Sequence, residues 1–138
     1  MPQTIQQKIK FNIPPEELFE IYINPKKHSA ACGHKTYVSR KVGAKFSVPP
    51  YLFGKNLAVV PPKMIVQSWR ESDWKKNDLD SILILSFSKT KGGGQIHLVH
   101  ANLPDWVYKT IYRGWHKHYW TPWRAYIKRK FKKSKTLN

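Results

Sequence analysis

PDWVYKTIYRGWHKHYWTPWRAYIKRKF, residues 104–131, reads as one long amphipathic helix. At 3.6 residues per turn, Trp115, Tyr119, Trp120, Trp123, Tyr126, Ile127 and Phe131 fall in one broad arc. Lys117, Thr121, Arg124, Lys128 and Lys132 lie opposite. So large an aromatic face needs a second layer to bury it. Pro122 interrupts the pattern. Proline has no N–H and its ring crowds the preceding turn, so a kink is expected there, or a break with Thr121 as cap and Pro122 as first helical residue.

The second layer lies upstream. SILILSFSK (81–89) and QIHLVHANL (95–103) flank Lys91-Gly92-Gly93-Gly94 and read as a hairpin. KMIVQSWRE (63–71) is a further strand, and short strands are expected at 36–40, 45–48, 51–53 and 56–60 between glycine and proline breaks. Near the start, Ile5, Ile9, Phe11 and Ile13 alternate with Gln6, Lys8, Lys10 and Asn12, as in a half-buried strand. Pro14-Pro15-Glu16-Glu17 then opens a helix whose apolar face is Leu18, Phe19, Ile21 and Tyr22. Asn24-Pro25 stops it, and residues 26–33 form a short second helix ending at Gly33. The order is strand, two short helices, antiparallel strands, long helix. It predicts an α+β fold of the helix-grip type: a curved antiparallel sheet gripping a C-terminal helix. One domain over residues 1–131 and a basic tail at 132–138 are expected.

Composition narrows the function. The chain has 138 residues, 25 Lys+Arg and 8 Asp+Glu, a net charge of +17. An anionic partner is therefore worth testing, but only where the charge is clustered. Seven cations lie near the end: Arg124, Lys128, Arg129, Lys130, Lys132, Lys133 and Lys135. Without them 18 basic residues face 8 acidic ones, a net +10. Cys32 is the single cysteine, so no intramolecular disulfide forms. No leader and no apolar run long enough to span a membrane is visible, and a cytoplasmic protein is expected.

Four segments carry a family resemblance: IKFNIPPEELFEIYINPKKH (9–28), KMIVQSWRESDW (63–74), GGGQIHLVHANLP (92–104) and RGWHKHYWTPWRAYIK (113–128). In this order they resemble the C-terminal domain of activators of the heat-shock-protein-90 ATPase. That domain is the AHSA-like branch of the SRPBCC (START-like, Bet v 1-like) superfamily. The resemblance implies the helix-grip fold and a cavity between helix and sheet. It covers only the C-terminal module of the two-domain activators. Pro122 and the lysine-rich end depart from the family pattern.

The resemblance places Ile65, Gln67, Trp69, Leu83, Leu85, Phe87, Ile96, Leu98 and His100 toward the helix, with Trp115, Tyr119 and Trp123 above them. These residues either line a pocket for a small apolar or amphipathic molecule or fill the core. His100 reads as an interior histidine, because no carboxylate at fixed spacing supports it as a base. His116 and His118, two apart, diverge by about 200° on a helix and cannot chelate together. His28, Cys32 and His34 lack a fourth ligand, so no metal site is expected. No nucleophile elbow, phosphate loop or dinucleotide fingerprint is present, and neither an enzyme nor a cofactor is expected. The reading is a non-catalytic binding protein. The alternative is a co-chaperone-type module docking an acidic chaperone surface through the basic cluster. Nucleic acid is the least favoured partner, because the aromatic face lies opposite the charge.

Overall fold

The computed structural model describes residues 2–137, with side chains through Phe131. Six strands form one antiparallel sheet: β1 (Gln3–Phe11), β2 (Lys45–Val48), β3 (Leu52–Val60), β4 (Met64–Glu71), β5 (Ser81–Thr90) and β6 (Gly93–Leu103). Their spatial order is β1-β6-β5-β4-β3-β2. The first strand therefore pairs with the last. Helices α1 (Pro15–Ile23) and α2 (Pro25–Cys32) carry the chain from one sheet edge to the other.

Local chemistry sets these elements. Pro15 starts α1, with Glu16 and Glu17 at its positive end. Asn24 ends α1 in an extended conformation and caps α2, accepting from the Lys26 and Lys27 backbone N–H groups at 3.0 and 3.1 Å. Gly33 closes α2 with φ of 82°, a left-handed conformation that favours glycine.

Register stacks the inward side chains in rows. Gln67, Leu83, His100 and Ile5 form one row across β4, β5, β6 and β1. Ile65, Leu85, Leu98 and Gln7 form the next, and Phe87, Ile96 and Ile9 a third. All are buried. Phe19 of α1 meets Phe87 edge to face at 5.5 Å, fixing α1 to the sheet.

Three expectations are corrected. Residues 36–40 form no strand; Tyr37 makes a single bridge to Ser47. The segments 51–53 and 56–60 are one strand, because β3 runs straight through Gly54. Glycine is required there: a Cβ would lie 1.9 Å from the Ser68 carbonyl oxygen and 2.3 Å from the Phe46 ring. The residue is a packing device, not a turn.

The third correction concerns the C-terminal helix. It consists of a 3-10 turn (Asp105–Val107), α3 (Tyr108–Gly114), a π-helical turn (Trp115–Trp120) and α4 (Thr121–Leu137). Thr121 has helical φ and ψ of −66° and −50°, so the chain does not break at Pro122. In α geometry the Pro122 ring would crowd the carbonyl four residues back. The wider π turn just ahead absorbs that conflict. The aromatic face survives: Trp115, Tyr119, Trp120, Trp123, Tyr126 and Ile127 are buried, and Phe131 packs against their cluster.

Candidate functional site

Three tryptophans fasten the helix to its surroundings through their N–H groups. Trp115 Nε1 donates to His100 Nδ1 on β6 at 3.1 Å. Trp120 Nε1 donates to Gln7 Oε1 on β1 at 2.8 Å. Trp123 Nε1 donates to Cys32 Sγ at the end of α2 at 3.4 Å. Hydrogen bonds aligned this way fix the height of the helix above the sheet.

Behind these contacts lies a buried polar chain. Tyr119 Oη donates to His28 Nε2 at 3.0 Å, and His28 Nδ1 donates to the Tyr22 carbonyl at 2.7 Å. Tyr22 Oη donates to Gln67 Oε1 at 2.7 Å, and Gln67 Nε2 donates to Asn56 Oδ1 at 2.9 Å. Asn56 Nδ2 ends the chain on the Ser39 and Lys41 carbonyls. Each donor in this chain has an acceptor, as a buried network requires. Burial pushes the His28 pKa down to about 4 and that of His100 down to about 3. It raises the Tyr22 and Tyr119 hydroxyls and lifts the Cys32 thiol to about 12.

His100 and Ser81 lie 2.9 Å apart, the distance of a nucleophile and its base. The hydrogen-bond directions oppose that role. Trp115 N–H occupies His100 Nδ1, so the neutral ring carries its proton on Nε2 and donates to Ser81. Ser81 Oγ in turn donates to the Trp69 carbonyl at 2.6 Å. Both residues are fully buried.

Two concavities open at opposite ends of the helix. The first is a cleft of about 630 Å³ between α3, the π turn, the β2–β3 connection and the end of β4. Trp69, Trp115, Tyr119, Leu52 and Ile111 form apolar walls, with His34, His118, Glu71, Asp73, Thr36 and Thr110 as polar lining. Burial and then the charge of Asp73 raise the Glu71 pKa. Burial, Lys117 and His34 lower that of His118. Trp69 Nε1, at the cleft wall, is buried without an acceptor.

The second is a groove of about 710 Å³ at the far end, lined by Lys10, Phe11, Asn12, Thr90, Lys91, Gly92, Arg124, Ile127, Lys128 and Phe131.

Of the twelve residues placed between helix and sheet from the sequence, Trp69, Trp115 and Tyr119 line the cleft. Ile65, Gln67, Leu83, Leu85, Phe87, Ile96, Leu98, His100 and Trp123 lie in the packed interior instead. Rings fill the space under the helix here: Trp120 meets Trp123 edge to face at 5.4 Å, and Phe11 meets both at about 6 Å. Of the basic cluster, Arg124 and Lys128 line the groove, while Arg129 lies over the Tyr126 ring at 6.0 Å and Lys130 is exposed. Lys132, Lys133 and Lys135 lie outside the described side chains.

Sequence reading missed the cleft's mouth, because residues 48–52 and 71–73 are loop ends without periodicity. It also missed the partner role of Gln7. That signal was present: Gln7 shares the buried parity of Ile5 and Ile9, and a polar residue at such a position needs a buried partner.

Residues 12–128 match the family model described as Activator of Hsp90 ATPase homolog 1-like protein. A Dictyostelium discoideum protein named as an activator of 90 kDa heat shock protein ATPase homolog is 25% identical over 115 residues. That match takes in 82% of this chain but only 30% of the relative. A crystal structure from Mesorhizobium loti superposes with a TM-score of 0.81 at 19% identity, covering 93% of this chain and 98% of that one. An HSP90 activator from Plasmodium falciparum gives 0.76 at 24% identity, over 88% and 91%. At these identities the two structures establish the shared fold. Among the described residues no helix is long and apolar enough to cross a membrane, and no group of metal-ligating side chains is assembled.

Proposed function

The chain belongs to the Activator of Hsp90 ATPase homolog 1-like family, and within it we propose a non-catalytic binding protein that holds a small apolar or amphipathic molecule between Trp69, Trp115 and Tyr119. The cleft carries this reading. Its volume of about 630 Å³ lies in the range of small-molecule sites, and its walls are aromatic with a few polar groups at the margin. The absence of catalysis is supported by the state of the interior groups. His28 and His100 are neutral and committed to hydrogen bonds, His100 donates toward Ser81, and the Cys32 thiol is held far from its reactive form.

Native mass spectrometry of freshly purified protein tests the reading. A retained small molecule is expected, and T110W, which places an indole in the cleft, should release it. If no molecule is retained and an apolar and amphipathic panel leaves the Trp69 and Trp115 fluorescence unchanged, the reading fails.

A second reading is a co-chaperone-type module that docks an acidic chaperone surface. The Plasmodium falciparum neighbour's description as an HSP90 activator and this chain's +17 charge favour it. Association with the cell's own 90-kDa chaperone that survives moderate salt would support it. No association at low salt would remove it.

A further inference from the structure

We propose that the groove at the far end of the helix is a second binding site, for a single-chain anionic amphiphile. Its carboxylate or phosphate head would sit among Lys10, Lys91, Arg124 and Lys128, and its chain would lie on Phe11, Ile127 and Phe131. The groove shares no lining residue with the cleft between Trp69 and Tyr119. The two sites are therefore independent.

Three separate elements supply the cations: β1 gives Lys10, the β5–β6 turn gives Lys91, and α4 gives Arg124 and Lys128. Only the tertiary fold brings them together, so they are not a run of like charges on one helix face. Arg124 lies over the Phe11 ring at 4.8 Å, which steadies its guanidinium at the groove wall. Among the described residues no carboxylate side chain lines the groove. The ion pairs found among the described residues lie elsewhere, between Arg40 and Glu20 and between Arg70 and Asp80. Four cations thus share one concavity without a carboxylate to neutralise them, and their mutual repulsion is relieved by an anion.

The apolar floor selects the kind of anion. Phe11 and Ile127 are buried and Phe131 half-buried, so the floor rewards a hydrocarbon chain as well as a charge. A volume of about 710 Å³ suits one small molecule. A protein partner would need a contact of roughly 800 Å² per side, well beyond this concavity. Successive bases would need several exposed rings to stack on, and among the described lining residues Phe11 is buried and Phe131 half-buried.

Calorimetric titration with dodecanoate, below its micelle concentration, of the full chain carrying T110W, which fills the other cleft, tests the proposal. Dodecyl phosphate should bind comparably, and dodecanol, dodecylamine and inorganic phosphate should bind far more weakly. Added to T110W, the double change K91Q/K128Q should leave folding normal by thermal melting and weaken dodecanoate binding on the order of tenfold. The parent chain should show the same groove binding beside whatever the other cleft takes up. Three results would overturn the proposal. They are dodecylamine binding as tightly as dodecanoate, K91Q/K128Q binding undiminished, and loss of dodecanoate binding in T110W. Inorganic phosphate competing as well as the amphiphiles would reduce the groove to a plain anion site. Binding to phosphatidylserine vesicles without binding of monomeric dodecanoate would make it a membrane contact. Either result also overturns it.

Discussion

Trp115 on the helix donates to His100 on β6 across 3.1 Å, and this one bond fixes which nitrogen of the imidazole carries the proton. Nδ1 must accept, so Nε2 bears the hydrogen and gives it to Ser81. A protonated ring would carry a hydrogen on Nδ1 as well and would oppose the Trp115 N–H. The bond therefore joins helix position to histidine charge.

Acid should loosen the protein through this pair. His100 and His28 have folded pKa values of about 3 and about 4, lowered by burial, against about 6.5 in an unfolded chain. The unfolded state then binds more protons below pH 6.5, so the histidine contribution is complete above that value and is lost as pH falls toward 4. Each histidine can contribute up to ~1.4 kcal/mol per pH unit inside that window. Glu20 and Asp105, with lowered pKa values, lose their contributions only at lower pH. Glu71, with a raised one, works in the opposite sense. Thermal melts from pH 7.5 to 4.5 should show Tm nearly constant above 6.5 and falling steeply below it. A flat profile would mean that the two rings are not held neutral.

Two tryptophans on either side of the cleft should differ in what a phenylalanine replacement costs. Trp115→Phe strands the buried His100 Nδ1 without its donor, a loss of about 1–3 kcal/mol beyond the missing ring area. Trp69→Phe breaks no hydrogen bond, because its Nε1 has no acceptor. Urea denaturation should place the midpoint of Trp115→Phe clearly below that of Trp69→Phe. Equal midpoints would remove the argument from the His100 bond.

The core residues that were legible in the sequence share one property: a period. Alternation placed Ile5, Ile9 and Phe11 inward, and the 3.6-residue spacing placed Trp115, Tyr119 and Trp123 on one face. Asn24, Pro25 and Gly33 marked the α1 and α2 boundaries by their local chemistry. Packing depth has no such signature. Nothing in the spacing of Leu83, Leu98 and His100 says whether the space above them is empty or filled by Trp120 and Trp123. The π turn was equally hidden: Pro122 announced a conflict with the regular helix, for which a kink or a break was expected, and the backbone took instead a turn that periodicity does not encode. The groove gathers Lys10, Lys91 and Arg124 from elements far apart in the chain, which only tertiary structure can do.

Gly54 should tolerate no side chain. An added Cβ meets backbone oxygen of Ser68 at 1.9 Å, and backbone in a paired strand cannot move aside cheaply. Gly54→Ala should cost at least about 3 kcal/mol, at the upper end of overpacking effects. Gly92, at the β5–β6 turn, has open space where a Cβ would stand, with nothing within 4 Å. Gly92→Ala should therefore stay within about 0.5–1 kcal/mol of the parent. Chemical denaturation of both variants checks the contrast. A mild Gly54→Ala would show that β3 and β4 separate more easily than their register implies.

Cys32 offers a probe of how tightly the helix is held. Its thiol accepts from Trp123 Nε1 at 3.4 Å, is buried, and has its pKa raised to about 12 by burial. Thiolate is the form that attacks an alkylating reagent, so at pH 8 the folded protein should react with iodoacetamide far more slowly than the unfolded chain. Cys32 also lines the cleft and is 6% exposed, so reaction beyond a slow basal rate requires an opening that lifts α4 from α2. Trp123→Phe removes the one hydrogen bond at the sulfur and keeps most of the ring packing, so alkylation should quicken in proportion to the stability lost. A small molecule bound between Trp115 and Tyr119 would cover the cleft wall that Cys32 helps to form and should slow it. Quantitative mass spectrometry of the alkylated fraction over time measures both changes. Rapid labelling of the folded parent at pH 8 would show that Cys32 reaches solvent without any such opening, and that the Trp123 contact does not hold the two helices together.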